Sequence, residues 1–204
     1  MLDDAGLQDC AISISNSLDE YIIRDVLMEG AKIDSFGVGE RLITAKSEPV
    51  FGGVYKLAGL EVDGEIVPKI KISENVEKIT NPGFKTLYRL FDKDTGKAQA
   101  DIITLDGETI PEDGEYEIFD PNAVWKKKRL KNFRAVNLRV QVFAAGKLVY
   151  ENPDIDTIRS YCQDQIQTLW PQTLRFENPQ TYYVDLSQKL YDIKQKLIEE
   201  HQMD

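Results

Sequence analysis

The sequence contains few residues of the kinds that form disulfides, bind zinc or act as paired nucleophiles. Its 204 residues include two cysteines, Cys10 and Cys162, and a single histidine, His201. Two cysteines cannot build a disulfide framework or a four-ligand zinc site, so we expect both to be small core residues. His201 lies near the end of the last predicted helix, where we expect no catalytic role. A Ser–His or Cys–His pair is therefore not available within this sequence.

Positive charge and long apolar runs are also scarce. Lys and Arg number 25 against 35 Asp and Glu, which gives a formal net charge of −10. No apolar stretch approaches the roughly 18 residues that a membrane span needs. The first residues, Met1-Leu2-Asp3-Asp4, lack the basic region of a signal peptide. We therefore expect a cytoplasmic protein without a membrane or nucleic-acid partner. No spacing of acidic residues marks a metal site or a catalytic pair.

One segment, Lys126–Lys131, has the opposite charge to the rest of the sequence. We interpret it first as a solvated cluster beside a turn, and second as a patch that binds phosphate. Aromatic residues occur near this segment and later in the chain, and we expect them to pack in the core rather than to form a stacking platform. They are Trp125, Trp170, Tyr182 and Tyr183.

The first 48 residues have the pattern of a βαβ unit. Leu2–Leu7 is typical of a helix end, with Gly6 as a left-handed cap. The elements predicted after it are a strand at Cys10–Ile14, a helix at Leu18–Glu29, a strand at Ala31–Phe36 and a short helix from Glu40. Ser17 and Glu20 have the spacing of a capping box. The two strands are expected to be parallel, and a two-stranded parallel sheet is unstable by itself. The segment thus resembles the middle of a larger α/β structure.

From residue 49 onward the pattern is mostly that of strands. Asp63-Gly64 predicts a hairpin turn, and Ala144-Ala145-Gly146 predicts another. The predicted strands are Gly52–Leu57, Val67–Ile72, Thr86–Phe91, Gln99–Leu105, Asn132–Phe143 and Lys147–Tyr150. Two helices follow, at Ile155–Trp170 and Tyr182–Glu200, each with an apolar stripe. We predict two domains: residues 1–48, from an α/β structure, and residues 49–204, a β-rich domain with two terminal helices.

The functional signal lies where the two early strands end. Ser15-Asn16-Ser17 and Gly37-Val38-Gly39 follow neighbouring parallel strands, at the sheet edge where α/β proteins bind ligands. Glycine lets backbone amides approach phosphate oxygens closely, and each loop leads into a helix. Arg41 could add a charged fork to a phosphate. Each loop alone is compatible with an ordinary turn. Together they predict a site for a phosphorylated small molecule, without naming a reaction.

Three segments in this order resemble the nicotinate phosphoribosyltransferase family. The first is Ile14–Glu20 followed by Gly30–Leu42, which contains Gly37-Val38-Gly39-Glu40-Arg41. The second is Lys71–Gly83, a segment characteristic of the bacterial enzymes. The third is Arg175–Pro179, continuing into Tyr182–Leu190. The resemblance extends over nearly the whole chain.

The resemblance implies an enzyme that makes nicotinate mononucleotide from nicotinate and phosphoribosyl pyrophosphate, driven by hydrolysis of ATP, in the salvage of NAD. It implies an irregular α/β barrel followed by a largely β domain, Mg and ATP as co-substrates, and a homodimer of the full-length protein. The residues that match the family's phosphate-binding loops are Ser15, Asn16, Gly37, Val38, Gly39, Glu40 and Arg41. They would hold the 5′-phosphate of the nucleotide.

The family's catalytic histidine, which ATP phosphorylates, lies upstream of the region matched here. His201 does not align with it, so we expect no catalytic residue and no metal ligand within this sequence. The chain therefore resembles a C-terminal part of the enzyme, inactive alone and completed by an N-terminal half. The alternative is a non-catalytic module that binds a phosphorylated ligand, or one half of a split enzyme. A sugar-phosphate isomerase barrel fits the early strands but does not explain the segments around Lys71 and Arg175.

Overall fold

The chain forms two compact units in the computed structural model, which describes residues 1–50 and 52–202. The units are Met1–Tyr55 and Lys56–Asp204. Phe51, Met203 and Asp204, which belong to the domain predicted at 49–204, lie outside the described residues. The assignment of residues 1–48 and 49–204 to two functional domains stays a prediction.

The first unit contains the predicted parallel pair of strands joined by a helix. A short 3-10 helix at Asp3–Ala5 ends at Gly6, whose φ of 77° is the predicted left-handed cap. The elements after it are β1 (Ser13–Ser15), α1 (Glu20–Met28), β2 (Ser35–Gly37) and α2 (Glu40–Ile43). β1 and β2 pair in parallel, with Ser13 beside Ser35 and Ser15 beside Gly37. Both strands end at the same edge as a result.

Several details of the first unit differ from the sequence prediction. Asp19, and not Ser17, caps α1: its Oδ1 accepts a hydrogen bond from the N–H of Ile22 at 2.9 Å. The strand predicted at residues 10–14 begins only at Ser13. Cys10 is exposed rather than buried in a strand. The capping-box prediction was wrong because the helix starts two residues later, so that Asp19 and not Ser17 is in the capping position. Ser17 instead has a left-handed backbone, with φ 50°.

The second unit is mainly β, as its alternating pattern predicts. Its strands are β3 (Gly59–Val62), β4 (Glu65–Pro68), β5 (Lys85–Asp92), β6 (Ala98–Leu105), β7 (Glu115–Asp120), β8 (Ala123–Lys131), β9 (Phe133–Asn137), β10 (Phe143–Ala144), β11 (Lys147–Leu148) and β12 (Val184–Leu186). Its α-helices are α3 (Ile155–Gln167) and α4 (Gln188–Gln202), and a 3-10 helix spans Val76–Lys78.

A sheet of strand order β12-β6-β5-β9 forms the framework of the second unit. β5 pairs antiparallel with β6 and β9, while β12 pairs in parallel with β6. β7 and β8 form a separate hairpin. The core lies between this hairpin and the sheet, and consists of Leu90, Ala100, Ile102, Ile110, Ile118, Leu130 and Phe133. Burial of these side chains is the main source of stability of the unit.

Hairpin turns were predicted more accurately than strand ends. Asp63 and Gly64 have φ values of 52° and 82°, as the predicted Asp-Gly turn requires. The strands that they connect are β3 and β4, closer to the turn than the predicted 52–57 and 67–72. Ala145 and Gly146 form the second predicted turn, with φ values of 46° and 74°. The single strand predicted over residues 132–143 is divided into β9 and β10.

The hairpin β7–β8 was not predicted. The basic segment Lys126–Lys131 lies inside β8 rather than beside a turn. Its side chains face the acidic residues of β7 across the hairpin: Lys127 Nζ lies 2.7 Å from a carboxylate oxygen of Glu117, and Lys131 Nζ lies 2.5 Å from one of Glu115. The run of like charges does not indicate a strand in the sequence, because the acidic residues that pair with it lie on β7.

The prediction of a helix at Tyr182–Glu200 was partly wrong. Residues 182–187 are not helical, because Val184–Leu186 forms β12 against β6, and α4 begins at Gln188. α3 forms as predicted, but its apolar stripe is not buried. Ile158 is 47% exposed, Tyr161 is 63% exposed, and Cys162 is also exposed. The prediction that Cys162 is a core residue was therefore wrong.

The prediction that the aromatic residues pack in the core was also largely wrong. Trp125 is 77% exposed, and Trp170 and Tyr183 are each more than two-fifths exposed. The structure combines helices and strands, consistent with the predicted fold class. Among the described residues no helix is long and apolar enough to cross a membrane.

Candidate phosphate-binding site

The predicted site lies at the ends of β1 and β2. Because Ser15 and Gly37 are register partners, the loops that follow them leave the sheet side by side. A Cβ atom added to Gly37 would lie 3.1 Å from the Cβ of Ser15, closer than an ordinary contact. Glycine at position 37 therefore allows the two loops to approach each other.

The first loop has an unusual backbone. Asn16 and Ser17 have φ values of 93° and 50°, in the left-handed region that L-residues rarely adopt. Such conformations cost free energy and are concentrated at binding and catalytic sites. Asn tolerates this region better than most residues. The loop thus keeps Asn16 and Ser17 at the edge of the sheet in a fixed conformation.

The two loops enclose a cavity of about 360 Å³. Five residues of the two loops and four residues that follow them line it: Ser15, Asn16, Ser17, Gly37 and Gly39 from the loops, and Leu18, Glu40, Arg41 and Lys46 after them. Six of the seven residues predicted for the site are among them. Val38 is not, and its place in the loop is between two lining glycines. Ser17 is available to the cavity because Asp19 caps α1 in its place.

Gly39 has space for a side chain, in contrast to Gly37. A Cβ at Gly39 would meet no atom within 4 Å. Gly39 is also the cap of α2, and the N–H groups in the first turn of any helix lack an intrahelical acceptor. These backbone donors and the side chains of Ser15, Asn16 and Ser17 could together donate hydrogen bonds to an oxyanion.

The charged groups of the site are already paired. Arg41 Nη1 donates to Oδ2 of Asp19, and Lys46 Nζ lies 3.9 Å from Oε1 of Glu40. The hydrogen bond from Ile22 N–H and the positive charge of Arg41 lower the pKa of Asp19, although partial burial opposes them. Asp19 therefore stays ionised at neutral pH and holds Arg41 at the cavity. Backbone and neutral donors rather than net charge dominate this site.

Two residues of the site were missed by sequence reasoning. Lys46 follows α2 without any motif that marks it. Asp19 was considered only as favourable charge at a helix start, whereas it connects α1 to α2 through Arg41. An Asp three residues before Ile22, at the start of the helical pattern, could have indicated the cap. The bond to Arg41 could not have been foreseen, because it spans 22 residues.

A comparison with known families places the chain among the phosphoribosyltransferases. Residues 84–194 match the model of the nicotinate phosphoribosyltransferase C-terminal domain. This match covers more than half of the chain, and the chain belongs to that family. The resemblance found in the sequence is thereby confirmed.

Relatives from distant organisms agree with this assignment. The chain is 38% identical over 208 residues to the nicotinate phosphoribosyltransferase of Bacillus subtilis, and the match covers 98% of this chain and 42% of that protein. It is 34% identical to the protein of the same name from Dictyostelium discoideum, with 89% of this chain and 31% of that protein covered. The chain thus spans less than half the length of these relatives.

A solved structure shows the same fold. The crystal structure of human nicotinic acid phosphoribosyltransferase superposes with a TM-score of 0.70 at 24% identity. The superposition covers 96% of this chain and 36% of the human chain.

Proposed function

We propose that this chain supplies the phosphate-binding loops and the C-terminal domain of a nicotinate phosphoribosyltransferase. In this reaction nicotinate and phosphoribosyl pyrophosphate form nicotinate mononucleotide, with hydrolysis of ATP, in NAD salvage. The observation that carries the proposal is the pairing of Ser15 with Gly37, which brings the two loops together around one cavity. The family match supplies the name of the reaction.

The role proposed for the two loops is to hold the 5′-phosphate of the nucleotide. A phosphate dianion needs several donors, and the cavity offers backbone N–H groups, hydroxyls and an amide, with Arg41 and Lys46 at its border. Because both cations are paired with carboxylates, we infer that the backbone N–H groups and the hydroxyls supply most of the attraction for the phosphate. This arrangement positions a phosphate rather than breaking a bond. The reacting groups are proposed to come from the rest of the enzyme.

The larger architecture is part of the same proposal. We place β1, α1 and β2 in an irregular α/β barrel, which the parallel pairing of the strands supports. The full-length enzyme is proposed to be a cytoplasmic homodimer that takes ATP and Mg as co-substrates. The described residues contain no group of three or more His, Cys, Asp or Glu side chains that could hold a metal ion. We assign no residue of this chain to ATP or Mg.

Reconstitution tests this function. The chain is to be co-expressed with the remaining part of the Bacillus subtilis relative, or joined to it covalently so that weak association does not hide activity. We expect nicotinate mononucleotide to form from nicotinate, phosphoribosyl pyrophosphate and ATP with both parts present, and with neither part alone. In the joined protein, Gly39→Asp is expected to raise the KM for phosphoribosyl pyrophosphate at least tenfold.

The controls distinguish the alternatives. Gly39→Ala is the matched control, because its Cβ meets no atom within 4 Å and adds no charge. Turnover by the 204-residue chain alone would contradict the proposal that the reacting groups come from the rest of the enzyme. A correctly folded joined protein without activity would favour the alternative of a non-catalytic module that binds a phosphorylated ligand.

A further inference from the structure

A second cavity, of about 660 Å³, lies within the unit Lys56–Asp204. One wall is the β8 segment Lys128–Lys131, and the other is the chain that follows α3, from Trp170 to Tyr183. Its size is within the range of small-molecule sites in proteins. None of the described residues that line it is Asp or Glu, in a chain of net charge −10. The cavity is thus a local exception to the acidic composition.

The register of the β7–β8 hairpin leaves one basic side chain of this wall without a carboxylate partner. Lys127 and Arg129 face Glu117, and Lys131 faces Glu115, each within 4 Å. Lys128 is instead the cross-strand partner of Ile118. Within the described part of the chain, no ion pair or hydrogen bond involves the side chain of Lys128.

Lys128 lines the cavity from the same face of β8 as a core residue. Alternate residues of a strand face the same way, so Lys128 shares a face with Leu130. Leu130 is 2% exposed and belongs to the core, while Lys128 itself is exposed and lines the cavity. An ammonium group without an ion pair among the described residues therefore lies in the lining of a cavity that also contains the buried Leu130.

The opposite wall is aromatic and fixed. Tyr182 donates a hydrogen bond from its hydroxyl to Asp101 at 2.8 Å, and the guanidinium of Arg89 lies 5.8 Å from its ring centre. The backbone between Trp170 and Tyr183 is held by a hydrogen bond from Gln180 N–H to the carbonyl of Gln172. Trp170 lines the cavity and is 42% exposed, so part of its ring is open to a ligand.

We propose that this cavity binds a small phosphorylated aromatic molecule, with its phosphate against Lys128 and its ring against Trp170. A Lys ammonium is a common point-charge partner of phosphate, and aromatic rings pack in offset or edge-on contact. The polar side chains of Thr173 and Gln180 lie in the same lining and add hydrogen-bonding capacity. This site shares no lining residue with the cavity between the loops at Ser15 and Gly37.

Tryptophan fluorescence tests this proposal directly. The chain has two tryptophans, and Trp125→Phe leaves Trp170 as the only one. The probes are phenyl phosphate, benzyl alcohol and inorganic phosphate, which separate the ring from the charge. We expect phenyl phosphate to change the Trp170 emission saturably, with an affinity at least tenfold above that of either other probe. Equal affinities for phenyl phosphate and inorganic phosphate, or no saturation by phenyl phosphate, would overturn the proposal.

Two substitutions separate this site from general charge effects. Lys128→Gln is expected to lower the affinity for phenyl phosphate at least tenfold. Lys127→Gln removes the same charge from the other face of β8. It is expected to change the affinity for phenyl phosphate less than twofold. Circular dichroism of both variants checks that the hairpin is folded, and calorimetry repeats the titration without relying on Trp170. Equal effects of the two substitutions in folded proteins would show that Lys128 has no special role and would overturn the proposal.

Discussion

The carboxylate of Asp19 holds both the start of α1 and the guanidinium of Arg41. One oxygen accepts the N–H of Ile22 at 2.9 Å, and the other accepts Nη1 of Arg41. Asp19 and Arg41 belong to the segments that follow β1 and β2, respectively, so this pair joins the two sides of the candidate site. The side chain of Asp19 is 13% exposed, whereas that of Arg41 is 36% exposed and can still reach a ligand.

Substitutions of Asp19 separate its two roles. Asp19→Asn keeps an oxygen for the helix cap and removes the charge that neutralises Arg41. We expect this variant to bind ribose 5-phosphate at least as tightly as the parent chain. Asp19→Ala removes both the cap and the partner of Arg41, and is expected to bind it several-fold more weakly. Calorimetric titration measures both, and weaker binding by the Asn variant than by the Ala variant would contradict this division of roles.

A largely buried ion pair joins two strands of the sheet in the second unit. Arg89 and Asp101 are cross-strand partners, joined by two hydrogen bonds of 2.8 and 2.9 Å. The bond to Asp101 raises the pKa of Arg89, and burial together with its own bond to Asp101 raises the pKa of Tyr182. Asp101 is 6% exposed, so removal of Arg89 would leave an uncompensated buried charge.

Arg89→Met is therefore expected to lower the free energy of unfolding by about 3 kcal/mol. The combination with Asp101→Asn is expected to cost less than the sum of the two single substitutions, with a coupling of about 2 kcal/mol. Urea denaturation of the four proteins gives this double-mutant cycle. Additive effects would mean that the pair contributes little beyond its separate contacts.

The acidity of Asp185 makes the stability of the chain depend on pH. Asp185 is 3% exposed, and its Oδ2 has no hydrogen-bond partner among the described residues. Burial, with the negative charge of Asp120, raises the pKa of Asp185 to about 6. A pKa raised above the unfolded value favours folding below about pH 4, and this contribution is lost as the pH rises through 6.

Asp185→Asn removes the buried charge and should therefore stabilise the chain at pH 8. We expect a gain on the order of 2 kcal/mol, since one pKa unit corresponds to about 1.4 kcal/mol and solvent screens part of the shift. The gain is expected to disappear near pH 4. Urea denaturation of both proteins at the two pH values measures the difference, and a parent chain more stable than the variant at pH 8 would contradict the assignment.

Local signals in the sequence predicted the local parts of the fold. The pattern around α1, the Asp63-Gly64 turn and the pair β5–β6 depend on residues close in the chain, and each formed nearly as expected. The positions of the two loops were predicted for the same reason, because each follows a strand directly, while their binding role stays a prediction. Their proximity followed from the parallel pairing of β1 with β2.

The features that the sequence did not predict depend on long-range contacts. Val184–Leu186 has an apolar pattern compatible with a helix, but it pairs with β6, about 80 residues earlier. The Lys-rich strand β8 is compensated by acidic residues on β7, which its own composition does not indicate. Asp19 is similar, since its partner Arg41 lies on another element, α2. In each case the deciding interaction joins residues that are distant in sequence.

The loops after β1 and β2 are proposed to hold a phosphate group, and substitution of Gly39 tests this role directly. Ribose 5-phosphate is titrated calorimetrically into the parent chain and into Gly39→Ala and Gly39→Asp, with ribose as the ligand control. An Asp carboxylate at the open face of Gly39 would repel the phosphate, whereas the Ala methyl group meets no atom within 4 Å.

We predict saturable binding of ribose 5-phosphate but not of ribose. Gly39→Ala is expected to change the affinity less than twofold, and Gly39→Asp to weaken it at least tenfold, which corresponds to about 1.4 kcal/mol. Equal affinities of the Ala and Asp variants, both folded, would contradict the claim and leave the loop as a turn without a role in binding.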